Sequence, residues 1–132
     1  MNEKHLEFIQ DVITRMNTNS FQIKAMAVAI FTGICGIYVV NQINCIFLIG
    51  IIPTLLFWFL DAYYLQQERK FREVYNKVAG LESKLNKDIK DFEMPIKNVE
   101  ISYCKVFWSC SVFSLYLSMI AILILLTFIL TK

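Results

Sequence analysis

The feature that most constrains the fold of this chain is a stretch without a charged residue, positions 25–60, between Lys24 and Asp61. One membrane crossing takes about 20 apolar residues, so this stretch is too long for one crossing and suits a tight hairpin of two. A polar turn at 41–44 divides it. Because 57% of all residues are hydrophobic, the sequence predicts an all-α membrane protein with three transmembrane helices at 21–40, 43–65 and 106–130.

The distribution of Lys and Arg predicts the orientation of the three spans. Three basic residues lie before or in the first turn of the first span, nine lie between 66 and 105, and only Lys132 follows the third. Basic segments stay in the cytoplasm. We therefore expect a multi-pass membrane protein with a cytoplasmic N-terminus and its C-terminus outside.

Residues 1–20 are predicted to form a cytoplasmic amphipathic helix followed by an elbow. An apolar stripe recurs at helical spacing in Leu6, Ile9, Ile13 and Met16. The polar run at 17–20 is expected to break the helix, and its Asn and Ser residues favour the start of a new one. The order predicted is helix, elbow and membrane helix.

The second membrane helix is predicted to continue into a cytoplasmic heptad helix that ends near residue 86, with Gly80 as its weakest point. It forms the first arm of a helical hairpin over 66–105. Its apolar seam is a candidate surface for homo-oligomerisation, and the alternative is packing on the chain's own N-terminal helix. The seam residues are Phe71, Val74, Val78, Leu81 and Leu85.

Catalytic, metal and cofactor chemistry are not expected from this sequence. His5 is the only histidine, and the four glycines form no phosphate-binding loop. The net charge of +2 is too small and too segmented for a nucleic-acid partner. The cysteines form no C-x-x-C motif and are expected to be reduced packing residues: Cys35, Cys45, Cys104 and Cys110.

Polar residues inside the spans are the main candidates for function. Asp61 either pairs with Lys24 near the cytoplasmic surface or contributes to a ring of carboxylates in an oligomeric pore. Along the third span, small hydroxyl side chains either pack against another helix or line a narrow polar path. These are Ser111, Ser114 and Ser118.

Three further features have both a structural and a functional interpretation. The small residues Ala25, Ala29, Gly33 and Gly36 suggest close helix packing in the first span. A proline that removes a backbone donor predicts a kink in the second span, and the hinge candidates are Gly50 and Pro53. The basic run after that span is either a stop-transfer collar or a lipid or partner surface, formed by Arg69, Lys70 and Arg72.

The segment FWFLDAYYLQQERKFR at 57–72, with HLEFIQ at 5–10 and the 15–20 elbow, resembles a family of small uncharacterised bacterial membrane proteins associated with anti-phage defence loci. The resemblance covers the first two spans and contains no active-site motif. It implies the bacterial inner (plasma) membrane as the location and a setting beside cytoplasmic signalling proteins. The candidate positions that it adds or repeats are Asp61, Tyr63, Tyr64, Arg69 and Arg72.

Together these features suggest a homo-oligomeric effector that perturbs or opens the inner membrane on a cytoplasmic signal. Three spans cannot enclose a water path, so conduction would need several subunits. The alternative is a membrane-anchored adaptor whose cytoplasmic hairpin docks a partner protein. Membrane lipids and a cytoplasmic signalling protein are the expected partners.

Overall fold

The computed structural model describes residues 3–43, 45–83, 88–90 and 92–132. Within these ranges the chain is helical and contains no β-strand. Three helices are long and apolar enough to cross a membrane. An all-helical chain with three such helices is therefore confirmed. The elements are α1 (Glu3–Asn41), α2 (Ile46–Val78), a short 3-10 helix (Ile96–Asn98), α3 (Tyr103–Phe107) and α4 (Cys110–Leu130).

Exposed apolar side chains divide the molecule into two parts. They are dense on the predicted spans, where Val40, Leu56 and Phe128 are examples. Water-exposed surfaces rarely carry such continuous apolar area, whereas lipid tails cover it favourably. We call residues 21–41, 46–65 and 110–130 the apolar part of the molecule, and residues 3–19, 66–83, 88–90 and 92–102 its polar end.

The helix α1 continues through positions 17–20, so the predicted elbow is absent. No Gly or Pro lies in this segment, and the helix penalty of Asn, Thr and Ser is only about half a kcal/mol each. The Thr14 and Thr18 hydroxyls donate to the carbonyls of Gln10 and Thr14, at 3.0 and 2.9 Å, as helical Thr residues do. Packing against α2 on both sides of the segment keeps the helix continuous.

The helix α2 ends at Val78 and not near residue 86 as predicted. Gly80 has φ +75°, a left-handed conformation that favours glycine. Its N–H donates to Lys77 O at 3.2 Å, and the Leu81 N–H donates to Asn76 O at 2.8 Å. These two bonds form a Schellman motif, the common helix ending at glycine.

The second arm of the predicted cytoplasmic hairpin is not an α-helix in the part of 88–102 that the structure describes. Pro95 precedes the 3-10 helix, and the chain then runs extended to Ser102. Val99 in this extended run is buried, and the Gln66 side chain donates to Ile101 O at 2.8 Å. Contacts with α2 therefore replace intrahelical hydrogen bonds in this arm.

The third predicted span begins later than expected, because the chain breaks between α3 and α4. Ser109 is extended, with φ −63° and ψ 139°. The Trp58 indole N–H donates to Phe107 O at 3.3 Å, and the two rings stack with centroids 4.5 Å apart. Val106 and Phe107 thus belong to α3, and the membrane-length helix is Cys110–Leu130.

Two apolar cores hold the helices together. The core of the polar end joins α1, α2 and the segment after the 3-10 helix through Ile9, Ile13, Phe71, Val74 and Val99. The core of the apolar part joins α1, α2 and α4 through Ala27, Trp58, Ala62, Val112, Tyr116 and Met119. The antiparallel α1–α2 pair therefore extends through both parts of the molecule.

Candidate functional site

The main polar site in the apolar part is an ion pair between α1 and α2. Asp61 is fully buried, and its Oδ2 lies 2.6 Å from Lys24 Nζ. The Ser20 hydroxyl donates to Asp61 Oδ1, and Lys24 Nζ donates to Ser20 Oγ at 3.0 Å. Ser20 and Lys24 are four residues apart, so both face α2 from one side of α1. Of the two alternatives for Asp61, the structure has the pair with Lys24.

Helix α4 adds a phenol to this ion pair. Tyr116 is fully buried, and its side chain lies beside the Asp61 carboxylate. The phenol oxygen does not meet normal hydrogen-bond geometry with any group in the part of the chain that the structure describes. Tyr116 therefore brings α4, with a hydroxyl donor, to the charged pair.

The arrangement is suited to joining helices. A carboxylate buried in an apolar environment costs several kcal/mol unless a counter-charge and hydrogen bonds compensate it. Here a cation and a hydroxyl from α1 supply that compensation. Lys24 is 21% exposed, so its stem can lie along the helix while its ammonium reaches the carboxylate.

The hydroxyl stripe predicted on the third span faces away from this site. Ser111, Ser114 and Ser118 are exposed on α4, whereas Val112, Tyr116 and Met119 occupy its buried face. The structure therefore does not bring the stripe together with Asp61 within one chain. On α1 the small residues Ala25, Ala29, Gly33 and Gly36 are exposed as well.

The residues of the predicted oligomer seam lie in different environments in the structure. Phe71 and Val74 are buried against Ile9 and Ile13 of the same chain, and Val78 packs against that core. This was the alternative to homo-oligomerisation through the seam. Leu81 follows the end of α2 and is exposed, while Leu85 lies outside the described residues.

The hinge candidates lie inside a continuous helix. Pro53 is within α2 and provides no donor for the Ile49 carbonyl. The Thr54 hydroxyl donates to Gly50 O at 2.8 Å, as helical Thr residues do. A Cβ at Gly50 would lie 2.7 Å from Ile34 Cδ1. Gly50 therefore allows α1 and α2 to approach closely.

The basic run separates into three environments. Arg72 pairs with Glu68 at 2.6 Å, and Arg69 donates to Ser109 Oγ at 3.1 Å. Both line a cleft of about 320 Å³ that also contains Lys105, Glu73 and Glu100. Lys70 is not part of its lining. We call this cleft the basic cleft.

Sequence reasoning missed several groups. Tyr116 carried no signal because the spacing within the third span does not show which of its residues faces Asp61. Glu68 is buried and could have been paired with Arg72 from their four-residue spacing. His5 is buried against Phe92, with ring centroids 5.5 Å apart, although the apolar stripe pointed to Leu6.

The tyrosines and cysteines singled out in the sequence are exposed or half-buried. Tyr63 is exposed and Tyr64 half-buried, with their rings 5.7 Å apart. Three of the four free cysteines are exposed, and Cys35 is half-buried. Within the described ranges no group of three or more His, Cys, Asp or Glu could hold a metal ion.

Comparison with known protein families, curated proteins and solved structures finds no match to this chain.

Proposed function

We propose that this protein is a membrane-anchored adaptor whose polar end docks a partner protein in the cytoplasm. The observation that carries the proposal is that large apolar side chains are exposed at the polar end, away from the predicted spans. Phe8, Leu81 and Phe92 are 50%, 59% and 57% exposed. His5 lies three residues before Phe8 and contacts the Phe92 ring. Exposed aromatic residues outside a membrane are typical of protein contact sites.

The internal packing of the chain also supports an anchor. The Asp61 carboxylate is compensated by Lys24 and Ser20, so it does not need to face a water path. Phe71 and Val74 are buried within the chain, which leaves the tip of the polar end as the surface for a partner. The excess of basic residues at this end favours its cytoplasmic location.

A second candidate is the homo-oligomeric effector that perturbs or opens the inner membrane, in the defence setting that the family resemblance implies. The observation that favours it is the outward direction of the small residues on α1 and α4. A Cβ added at Gly33 or Gly36 would meet nothing within 4 Å. Such surfaces let helices of neighbouring subunits approach closely in lipid.

One experiment separates the two functions. A photo-crosslinking amino acid placed at Phe8 or Phe92 should give a discrete adduct with a second protein in cells. The same group at Asp11, an exposed position of α1, is the matched control and should give none. Induced expression should leave the membrane potential unchanged. Depolarisation without an adduct from Phe8 or Phe92 would contradict the adaptor and favour the effector.

A further inference from the structure

The basic cleft places cations from two distant segments of the chain together. Arg69 and Arg72 come from α2, and Lys105 comes from α3. Each of the three side chains has N–H donors that the contacts within the described part of the chain do not use. Arg69 donates to one hydroxyl and Arg72 pairs with one carboxylate, whereas a guanidinium carries five N–H donors. Lys105 is exposed and has no ion pair within the described ranges.

The level of the cleft along the molecule indicates which ligand can reach it. Arg69 bonds Ser109, the residue directly before α4. Helix α4 has 21 residues, or about 30 Å at 1.5 Å per residue, which equals the thickness of the hydrocarbon layer. Arg69 therefore lies at the edge of that layer, where the phosphates of phospholipids lie.

The acidic residues of the cleft indicate which class of phospholipid headgroup the cleft can bind. Glu73 lies one helical turn beyond Arg69, farther from the apolar part, and Glu100 lines the cleft from the extended segment before α3. Arg72 is already paired with Glu68 and Glu73 accepts a hydrogen bond from Ser83, so the lining, with Arg69, Lys105 and Glu100, carries at most a small net positive charge. Such a lining complements a phosphate near the bilayer and an ammonium group farther out, and suits a polyanionic headgroup less well.

We propose that the basic cleft binds the headgroup of one zwitterionic phospholipid of the phosphoethanolamine type. Arg69, Arg72 and Lys105 hold the phosphodiester through charge-assisted hydrogen bonds. Glu100 holds the ammonium group, in a part of the cleft that Glu73 also lines. The proposal depends on the three helices crossing a membrane and is independent of the docking of a protein partner.

Native mass spectrometry of the full chain in neutral detergent tests the site. With added phosphatidylethanolamine, we expect one lipid to stay bound at concentrations where phosphatidylglycerol is released. Arg69→Gln and Lys105→Gln should each weaken binding by about tenfold, the range expected for losing one charge-assisted hydrogen bond. Lys105 is exposed, so its variant keeps the test valid if Arg69→Gln does not fold.

Two matched controls separate a specific site from general surface charge. Lys70→Gln removes a neighbouring cation that does not line the cleft, and it should leave binding unchanged. Ser109→Ala removes the protein partner of Arg69 without changing any charge, and it should retain the lipid. Equal weakening by Lys70→Gln and Arg69→Gln would overturn the proposal.

A soluble headgroup distinguishes a lipid from a free phosphodiester. Glycerophosphoethanolamine has the same phosphate and ammonium groups but no acyl chains. We expect it to compete only at concentrations far above those of the lipid. Competition at equal concentration would overturn the assignment to a membrane lipid, and preferential binding of phosphatidylglycerol would overturn the role of the carboxylates.

Discussion

At the scale of single residues, Lys24, Ser20 and Asp61 join α1 to α2 through groups that would be unfavourable alone in an apolar environment. The Asp61 carboxylate is fully buried, and the ammonium lies 2.6 Å from it. Removal of one partner from a buried pair leaves the other charge uncompensated, which is usually worse than removal of both. The stability of the bundle should therefore depend on the match between these two side chains.

The first prediction is that Asp61→Asn and Lys24→Met each destabilise the folded bundle. For Asp61→Asn we expect about 3 kcal/mol, because it leaves the Lys24 ammonium without its counter-charge. The double variant should regain part of this loss. Thermal unfolding in detergent measures the effect, with Glu7→Gln, an exposed carboxyl on α1, as the control. Normal stability of Asp61→Asn together with altered ion conductance would instead support a carboxylate-lined path.

The second prediction concerns two glycines with opposite roles. Gly80 has φ +75°, so Gly80→Ala should destabilise the end of α2 by about 1 kcal/mol. Gly33 lies inside α1 with no atom within 4 Å of an added Cβ. Gly33→Ala should therefore be neutral or stabilise the monomer, by up to about 1 kcal/mol. Unfolding in detergent, where subunit contacts are weakened by dilution, measures both variants, and equal effects would contradict the prediction.

At the scale of the elements, α1 and α2 form one antiparallel pair that is held at three levels. Ile9, Ile13, Phe71 and Val74 pack at the polar end, Lys24 and Asp61 pair below them, and Gly50 permits close approach in the apolar part. Helices α3 and α4 pack against α2 through aromatic rings around Trp58. The Trp58 ring centroid lies 4.5 Å from that of Phe107 and 6.2 Å from that of Tyr116. Helix α2 is therefore the element that the others pack against.

The third prediction is that the apolar seam stabilises the polar end of a single chain. Val74→Asp would bury a charge against Ile9 and Ile13, so it should open the packing of α1 on α2. We expect faster hydrogen exchange in residues 3–16 and no change in particle mass. Leu81→Asp, at an exposed position, is the matched control and should change neither. A smaller particle for Val74→Asp would show that the seam joins subunits.

At the scale of the whole molecule, two core clusters lie along one helical pair, and the outer surface changes from polar to apolar between them. The outward small residues on α1 and α4 leave the apolar part able to contact other helices. Docking at one end and association at the other are therefore compatible within one protein.

The fourth prediction is the topology. With three, nine and one basic residues flanking the successive spans, the polar end should stay in the cytoplasm. A reporter fused after Lys132 should be active outside the cytoplasm, and a fusion after Gly80 should be active inside. Alkaline phosphatase and a fluorescent protein give opposite readouts and control for expression. Cytoplasmic activity after Lys132 would contradict three crossings.

The sequence by itself determined the helical class and the three long apolar helices, because hydrophobicity and length are properties of continuous segments. It also indicated the Lys24–Asp61 pair as one alternative, since each is the charged residue that flanks a long uncharged stretch. Gly80 was identified as a weak point, but the length of the heptad pattern still suggested a longer helix. Local patterns of this kind do not reveal which helix ending is used.

Only the tertiary structure decided which surfaces meet. The continuity of α1 through 17–20 depends on packing against α2. Phe71 and Val74 pack against Ile9 and Ile13, which are more than fifty positions away in the sequence. The basic cleft likewise combines α2 with residues that follow it by about thirty positions. A sequence pattern shows that one face of a helix is apolar or charged. Which other segment packs against that face depends on the tertiary structure, because the residue spacing within one segment contains no information about its partner.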